Sequence, residues 1–365
     1  MIWAIGLVCA VAAAYQILAI FACLRHAMRE PSRKPMSEGV SVLKPVRGFH
    51  AGFDQAILSH LKQTYPNFEL LLGYRDPADS AIPEIIRQRA THWLCPQTAP
   101  NGKVGVLMDL VKQVRYPIII VNDADIVVPP DYLRDVTAEL ADPSVGVVTC
   151  LYRAEGDSWP SRFEALGVAT DFAPSALVAP WVGVSEFGFG STLAFRRADL
   201  EAIGGFEAVA DYLADDYQIG ARIHRLGRRN VISRVVVKTR LNASSWRAVW
   251  EHQVRWARTI RLSRPGGYAG LPVTFATLWA VLAAVAGFWW MALALLALRM
   301  AMGIAGGWFV SRSKEVLTYF PLIPVRDLYA VAVWAAGLTG DTVEWGGQTL
   351  RLDRDGRIIE RIVRH

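Results

Sequence analysis

The sequence predicts an α/β fold in which a mainly parallel sheet lies between an N-terminal membrane anchor and C-terminal membrane helices. The 365-residue chain is 53% hydrophobic, a larger share than is usual in soluble proteins, and the excess lies at its two ends. Between them, residues 38–240 alternate short apolar runs with stretches of helical spacing. This alternation is typical of βαβ units, and hence of a parallel sheet covered by helices.

The N-terminal apolar segment has the length of a membrane span. Residues 2–24 carry no charge and could cross a hydrocarbon core of about 30 Å. Basic residues follow this segment instead of preceding it, which favours a retained anchor over residues 1–25 rather than a cleaved signal peptide. By the positive-inside rule the next domain then faces the cytoplasm, which in a bacterium implies the inner membrane. The basic residues are Arg25, Arg29, Arg33 and Lys34.

The C-terminal apolar blocks predict membrane helices over residues 271–340. The first block, Leu271–Val310, is broken only by Arg299 and has the length of a tight hairpin of two spans. The second, Leu317–Gly340, contains two prolines and two charged residues, so it is either a short span or a helix lying partly in the interface. A polar tail over residues 341–365 follows, and the number of crossings stays open.

The strongest chemical signal follows the apolar run Ile118–Val121, which predicts a buried parallel strand. Directly after it come Asp123 and Asp125, separated by one residue. Ligands bind at the carboxyl ends of strands in open α/β sheets, and the hard cations Mg²⁺ and Mn²⁺ prefer carboxylate and phosphate oxygens. The pair therefore predicts a divalent-cation site that handles a nucleotide diphosphate, with an ordinary acidic turn as the alternative.

Further carboxylates follow the same pattern. Asp76 comes after the predicted strand Phe68–Tyr74, so a parallel arrangement brings it to the same edge as Asp123; alone, it also fits a plain turn before a proline. Asp215 and Asp216 open a predicted helix, where they either favour the helix dipole or supply a general base. The sequence therefore predicts that these carboxylates converge on one site.

A basic amphipathic helix is predicted within residues 241–266. Tryptophans and arginines recur at helical spacing between Ser245 and Arg264, as in helices that lie on a membrane surface. Such a helix can still offer one arginine to a diphosphate, whose oxygens the guanidinium binds in pairs. The segment Trp159–Trp181 is mostly apolar, has aromatic ends and has no run long enough to span. It is either a core helix or a second element that brings the site to the membrane.

The charge pattern argues against nucleic acid as a partner. The net charge of +6 lies mostly beside apolar segments, which favours contact with an anionic membrane face, and no RNA- or DNA-binding motif accompanies it. The four cysteines form no C-x-x-C motif, which fits a reduced, cytosol-facing domain. Transporters usually carry ionisable residues in several spans, whereas here the carboxylates cluster outside the apolar blocks. Transport or a non-catalytic scaffold is therefore disfavoured.

A family resemblance extends over about residues 1–340. Together with the aspartates already described, five segments resemble lipid-directed family 2 glycosyltransferases, and more narrowly ceramide glucosyltransferase and its bacterial relatives, including those of hopanoid synthesis. The resemblance implies a GT-A-like, nucleotide-sugar-binding domain over residues 38–240. The segments are SVLKPVRG (41–48), LLLGYRDPAD (70–79), NGKVGVLMDL (101–110), ADDYQIG (214–220) and VRWART (254–259).

The resemblance implies a set of donor-binding residues. Asp76 would bind the uridine part of a UDP-sugar. Asp123 and Asp125 would hold the diphosphate through Mg²⁺ or Mn²⁺. Other residues implied on the donor side are Lys44, Pro45 and Lys103.

The resemblance also implies the catalytic residues. Asp216, which follows the acidic Asp215, would be the general base. Arg255 and Trp256 would close over the diphosphate and the acceptor. The family motif has Gln or Arg three residues before this pair, where this chain has His252, which could donate a hydrogen bond to a phosphate.

The predicted activity is a direct, inverting transfer of a sugar from a UDP-sugar to a hydroxyl of a membrane lipid. Glucose and ceramide are the first candidates, and a hopanoid or another lipid is the alternative acceptor. A polysaccharide synthase is a second enzyme class, although three or four spans leave little room for a polymer tunnel. The exact sugar, the exact lipid and the oligomeric state are left open by the sequence.

Overall fold

The central domain is organised around a mainly parallel sheet. The computed structural model describes residues 2–30, 32 and 36–362 of the chain. Within them the strands of this sheet are β1 (Val40–Val46), β2 (Phe68–Tyr74), β3 (His92–Leu94), β4 (Ile118–Val121), β5 (Val145–Gly156), β6 (Leu193–Arg196) and β7 (Arg229–Leu241). Their order is β3-β2-β1-β4-β6-β5-β7, with β6 antiparallel to β4 and β5 and the other pairs parallel. The predicted fold class is therefore confirmed.

Helices cover the sheet and form the apolar segments at both ends. Single π-helical or 3-10 turns join α6 to α7 and α14 to α15, and a π-helical turn extends α13 to Val310. The helices are α1 (Ile2–Ala27), α2 (Phe53–Leu61), α3 (Ile82–Arg87), α4 (Gly102–Leu110), α5 (Tyr132–Leu140), α6 (Trp159–Gly167), α7 (Ala173–Val178), α8 (Arg197–Ala202), α9 (Asp215–Arg225), α10 (Trp246–Ser263), α11 (Pro265–Gly270), α12 (Ala276–Val285), α13 (Trp289–Ile304), α14 (Lys314–Tyr319) and α15 (Ile323–Gly337).

Strand β4 shows how the sequence builds the core. Its four residues, IIIV, are fully buried because helices cover both faces of the sheet. Successive side chains of a strand point to opposite faces. Ile120 accordingly lies in the cluster that contains Tyr132 of α5, and its neighbour Ile119 in the cluster that contains Leu107 of α4. The end of β4 is thereby held from both sides, which makes it a rigid place for polar residues.

The sequence pattern predicts strands over Val40–Leu43 and Val145–Cys150 and a helix over Ile82–His92, and the structure places the end of each of these elements elsewhere. Strand β1 continues beyond Leu43 to Val46, because it pairs with β2 along its whole length. Strand β5 continues beyond Cys150 to Gly156, where β7 accompanies it. The helix predicted to reach His92 ends at Arg87, because His92 belongs to β3 and pairs with β2.

Helix α1 is tied to the central domain. Just after it, Arg29 Nη2 lies 2.7 Å from Glu139 Oε2 of α5. This ion pair joins the N-terminal helix to the face of the domain nearest its end. Two of the basic residues used to orient this helix, Arg33 and Lys34, lie outside the described residues.

Four helical stretches of the described residues are long and apolar enough to cross a membrane. A broken pair, Pro265–Thr274 with Ala276–Val285, bends by 50° and could form a fifth. The prediction that Trp159–Trp181 has no run long enough to span is wrong by this measure, because one continuous 24-residue helix covers it. The four stretches are Ile5–Ala27, Trp159–Val182, Trp289–Val310 and Lys314–Gly337.

The stretch Trp159–Val182 begins and ends at the central domain. Before it, the Ser158 hydroxyl donates to the Ala243 carbonyl (2.6 Å), just beyond the end of β7. After it, the Phe187 carbonyl accepts from Asn230 Nδ2 of β7 (3.1 Å). A helix that returns to the side on which it started lies along the domain instead of crossing away from it.

The stretch Lys314–Gly337 is held in the same way. Before it, the Arg312 carbonyl accepts from Arg153 Nη1 of β5 (2.9 Å). After it, the Thr342 carbonyl accepts from Arg258 Nη1 of α10 (2.6 Å). Of the two structures predicted for this block, these contacts favour the interfacial helix over the short span.

The C-terminal residues form a small sheet, so the predicted polar tail is corrected. In the described residues, β8 (Thr342–Trp345), β9 (Gln348–Leu352) and β10 (Ile358–Ile362) pair antiparallel. The Leu213 amide donates to the Gly356 carbonyl (3.2 Å), which docks this sheet on the central domain. Both ends of the helical segment between the domain and this sheet therefore lie beside the central domain.

Candidate active site

The candidate site lies at the carboxyl ends of β1 and β4, where the sheet has an opening. Strand β4 pairs with β1 only as far as Val121, opposite Leu43. The Leu43 carbonyl accepts from the Asn122 amide (3.1 Å), so the backbone N–H and C=O groups of odd-numbered β1 residues point towards β4. The backbone of Pro45 points to the same side, but β4 has already ended there. The N–H that proline lacks is therefore not needed by the sheet, and the space between the ends of β1 and β4 stays open.

Lys44 lies beneath the loop that carries the two aspartates. It is fully buried, and its Nζ donates to the carbonyls of Asp123 (2.8 Å) and Ile126 (3.3 Å). Burial lowers the pKa of Lys44 to about 7, against the opposing charges of Asp125 and Asp123. In the structure this lysine supports the loop from below, and its direct contact with a donor stays a prediction.

Lys103 joins two of the predicted carboxylates. Its Nζ lies 2.9 Å from Asp123 Oδ1 and 3.2 Å from Asp215 Oδ2. Burial alone would lower the pKa of Lys103, but the surrounding aspartates outweigh it and raise the pKa. Asn101 caps α4, accepting from the Lys103 and Val104 amides, and its Nδ2 also donates to Asp215 Oδ1 (3.4 Å). The start of α4 and the start of α9 are thus fastened together at the site.

Asp216 is oriented by backbone amides. Its Oδ2 accepts from the Gly190 amide and its Oδ1 from the Tyr217 amide, each at 2.8 Å. The Gly190 carbonyl accepts from the Asp123 amide (3.0 Å), so one glycine contacts both acidic segments. Burial, and next the charge of Asp215, raise the pKa of Asp216 to about 6. Asp215 and Asp216 both bond outside their own helix, which a pure capping role does not explain.

Asp125 stands behind Asp123. It accepts a hydrogen bond from the Thr239 hydroxyl of β7. Burial and the charge of Asp123 raise its pKa, while Thr239 and Lys44 act in the opposite direction. Asp123 and Asp125 therefore lie close enough for the charge of one to affect the other.

Arg255 and Trp256 reach the site from α10. Burial lowers the pKa of Arg255, and the charges of Asp123 and Asp216 act against that change. The guanidinium thus lies in the electric field of the aspartates on the opposite element. Trp256 packs in an apolar cluster with Val168, beside α6. The closing of this pair over a diphosphate and an acceptor stays a prediction.

His252 is held from behind by a carboxylate. Its Nδ1 lies 2.6 Å from Oε1 of Glu164 in α6, and its ring centroid lies 4.4 Å from that of Trp256. The predicted hydrogen bond from this residue to a phosphate could use only the other ring nitrogen, Nε2.

Asp76 is separate from this group. It is exposed, and its Oδ1 accepts from the Ala78 amide (2.9 Å), as a turn residue does. Strand β2 stands two places from β4, so the two strand ends are about 10 Å apart. Asp76 shares the edge with Asp123 without contacting it, and its role towards a uridine stays a prediction.

Comparison with known proteins assigns the chain to a family. The sequence model of glycosyl transferase family 21 matches residues 3–358, which is almost the whole chain. The chain belongs to glycosyl transferase family 21. The resemblance to ceramide glucosyltransferases found in the motifs is thereby confirmed.

The relatives share about a quarter of their aligned residues with this family 21 chain. Ceramide glucosyltransferase 1 of Caenorhabditis elegans is 26% identical over 228 residues, 60% of this chain and 48% of that protein. The beta-monoglucosyldiacylglycerol synthase of Synechocystis sp. is 27% identical over 218 residues, 58% of this chain and 38% of that protein. The chain thus spans less than half the length of these relatives.

A solved structure shares the fold of this family 21 chain. The mannosyltransferase PcManGT from Pyrobaculum calidifontis, in complex with GDP-Man and Mn²⁺, superposes with a TM-score of 0.58 and 20% identity. The match covers 93% of this chain and 99% of that protein, so it includes apolar helices as well as the sheet.

The family 21 site contains carboxylate oxygens of the kind that bind a divalent cation. Asp123 keeps 43% of its side chain exposed, and a Cβ at Gly190 would stand 2.7 Å from Asp123 Oδ2. In the described residues no group of three or more His, Cys, Asp or Glu side chains is arranged around a common metal position. Asp123 and Asp125 would therefore supply two ligands and leave the others to phosphate and water, which is usual for Mg²⁺. The residues present fit such a cation.

Sequence reasoning missed several residues of the family 21 site. Gly190 belongs to the segment Gly188–Thr192, whose glycines predict either a close approach of backbone to a ligand or a plain turn, but nothing local shows that its amide reaches Asp216. Thr239 and Glu164 lie inside ordinary strand and helix patterns and reach the site only through tertiary packing. Asn101 had a local signal, since Asn before a helical run is a common N-cap.

Proposed function

We propose that this family 21 chain is a membrane-bound, inverting glycosyltransferase that moves a sugar from a UDP-sugar to a hydroxyl of a membrane lipid. One observation carries the proposal: Lys103 bonds Asp123 and Asp215 while Asp216 stands beside them. Acidic residues about 90 positions apart thus share one site, as the carboxyl edge of an α/β sheet allows. The charges of Asp123 and Asp216 also act on Arg255 of the amphipathic helix α10.

The donor would lie across the ends of β1 and β4. Asp123 and Asp125 would hold Mg²⁺ or Mn²⁺, which supplies Lewis-acid stabilisation of the leaving diphosphate. Arg255 would bind diphosphate oxygens from the opposite side, because its planar fork matches them in pairs. Lys103 bridges Asp123 and Asp215 and would thereby fix their side chains before a donor arrives.

Asp216 would take the proton from the attacking hydroxyl. Its pKa of about 6 leaves the carboxylate ionised at neutral pH and close enough in basicity to accept a proton. The Gly190 and Tyr217 amides hold its two oxygens in place. One displacement by the hydroxyl, with the diphosphate leaving on the other face, inverts the sugar carbon.

The acceptor site would lie at the bilayer surface. A two-chain lipid cannot leave the bilayer cheaply, because each buried CH₂ contributes about 0.8 kcal/mol. The protein offers exposed tryptophans on the two elements beside the site: Trp159 of α6, with 55% of its surface exposed, and Trp246 of α10, with 53%. Such residues favour the membrane–water interface.

The names of the relatives suggest which substrates to test first. Ceramide and a diacylglycerol glycolipid are the lipids named for the two curated relatives, and both names contain a glucosyl transfer. We therefore place glucose and ceramide first and a diacylglycerol or hopanoid second. The name of the solved structure adds GDP-mannose as an alternative donor. We infer a cytosolic site, because cytosolic nucleotide sugars and the basic residues after α1 both suit that side.

The test uses the full chain in lipid nanodiscs. Radiolabelled UDP-glucose and GDP-mannose are offered with ceramide, with diacylglycerol or with neither, in Mn²⁺ and in EDTA. Label in the lipid extract that depends on the added acceptor and on the metal supports the proposal. Label in an insoluble polymer would identify a synthase, and no label from either donor would favour a non-catalytic protein.

A further inference from the structure

A hydrogen-bond network of buried polar side chains joins three helices beside the site. Glu164 keeps 1% of its side chain exposed, yet its Oε1 contacts His252 Nδ1 (2.6 Å) and accepts from Gln253 Nε2 (2.9 Å). Gln253 Oε1 in turn accepts from Nη2 of the buried Arg326 (2.9 Å). A single carboxylate of α6 is thereby connected to both α10 and α15.

The residues around Arg326 leave space for its guanidinium in this network. Its guanidinium lies 5.8 Å from the ring centroid of Phe163 and 5.3 Å from that of Tyr329. Gly167 makes room for it, because a Cβ at that position would collide with the guanidinium. Buried charges are costly unless they are paired and hydrogen-bonded, and they are weak grounds for stability. The arrangement therefore suggests a positional role.

His252 is the most exposed residue of the hydrogen-bond network that Glu164 forms with His252 and Gln253. Its side chain keeps 28% of its surface exposed, against 1% for Glu164. Its ring lies 4.4 Å from that of Trp256, and Arg255 follows it by three residues on the same helix. Arg255 is under the influence of both Asp123 and Glu164. The hydrogen-bond network therefore ends, at His252, beside the proposed donor and acceptor site.

We propose that Glu164 is a positioning residue that keeps the proton of His252 on Nδ1 and so makes Nε2 an acceptor for a substrate hydroxyl. An ionised carboxylate can only accept, and a neutral imidazole has one donor and one acceptor nitrogen. The proposal rests on the proposed function, since the hydroxyl belongs either to the donor sugar or to the lipid. It replaces the hydrogen bond to a phosphate that the family motif implied for His252.

The kinetic test combines Glu164→Gln, His252→Ala and the double variant in the full chain in nanodiscs. We expect each single variant to lower kcat/KM by about 10-fold, the lower end for residues that orient a histidine from behind. The double variant should lose no more than His252→Ala alone, because Glu164 acts through the histidine. A rise in KM for the UDP-sugar assigns the hydroxyl to the sugar, and a rise in KM for the lipid assigns it to the acceptor.

A matched control and one opposite outcome complete the kinetic test. Glu139, a carboxylate of similar burial that pairs with Arg29 away from the site, serves as the control, and Glu139→Gln should leave both KM values unchanged. Additive losses in the double variant, or normal kinetics of Glu164→Gln, would overturn the positioning role.

A spectroscopic measurement separates this proposal from the proposed function. In ¹⁵N-histidine spectra of the full chain, the signal absent from His252→Ala should show the Nδ1-protonated tautomer in the wild type. Glu164→Leu should shift that signal towards the Nε2-protonated form. An Nε2-protonated wild type contradicts the positioning role even if sugar transfer is active, and an inactive wild type with the Nδ1 form contradicts the proposed function alone.

Discussion

Two clusters among the described residues place aspartates around a cation, and they differ in the bonds that the cation makes with them. In the first, Lys103 contacts Asp123 and Asp215 with one nitrogen. In the second, among the membrane helices, Arg299 keeps 1% of its side chain exposed. Its Nε and Nη2 donate to the two oxygens of Asp327, at 2.8 and 2.6 Å, and Nη2 also contacts Asp171.

The difference lies in the shape of the cation. A guanidinium presents a planar fork that matches a carboxylate in two bonds, whereas an ammonium is a single point charge. The aspartates around Lys103 therefore share a single point charge, and burial, followed by the charge of a neighbouring aspartate, raises the pKa values of Asp125 and Asp216. We call the first the open cluster, because Asp123 is partly exposed and could bind a further cation. We call the second the closed cluster, because Arg299 and Asp327 are buried and hold α13 to α15 together.

The largest expected effect comes from the open cluster. Asp216→Asn removes the proposed base while keeping its shape, so we expect turnover to fall by about 10²–10⁴-fold, the usual contribution of a general base. Binding of UDP in the presence of Mn²⁺, measured by calorimetry, should change little. Asp199→Asn is the control, since Asp199 is a buried carboxylate that pairs with Arg196 and Arg228 instead. Near-normal turnover of Asp216→Asn would disprove the assignment.

The next largest effect comes from the closed cluster, and it concerns stability. Arg299→Met leaves Asp171 and Asp327 without their cation, so the free energy of unfolding should fall by about 3–5 kcal/mol, the cost of breaking a buried pair. Arg247→Met breaks an exposed pair with Glu251 at i,i+4, and its effect on stability should be far smaller. Denaturant unfolding in detergent compares the two. Equal losses would mean that the buried cluster is not structural.

The sequence predicted the open cluster better than the closed one. Asp123 and Asp125 follow a strand whose burial is evident from its composition, so their place on the sheet could be derived. Arg299 was visible as an interruption of an apolar block, but its partners come from other segments and have no periodic signal. The C-terminal sheet was missed because short alternating strands in a polar tail acquire a core only by docking on Leu213.

A smaller effect tests how the open cluster prepares a cation site. Thr239→Val removes the hydroxyl that bonds Asp125 and keeps the volume, so we expect affinity for Mn²⁺ with UDP to fall by about 10-fold, the lower end for residues behind metal ligands. Thr349→Val removes a comparable bond to Glu344 in the C-terminal sheet and serves as the control. Calorimetric titration of Mn²⁺ measures both. Unchanged affinity in Thr239→Val would argue against Asp125 as a ligand.

The smallest effect is a pH dependence with opposite signs for activity and stability. Asp216 acts as a base only when ionised, so with a pKa of about 6 the turnover should fall about tenfold per pH unit below 6 and level off above 7. Its folded pKa lies above the value of a free carboxyl, so the native state binds more protons than the unfolded state between about pH 4 and 6, and stability from this group is lost as pH rises through that range. Asp216→Asn should remove that stability change, whereas Arg299→Met should keep it. Activity that falls together with stability below pH 6 would instead indicate acid unfolding, because protonation of a base held at a raised pKa makes the fold more stable.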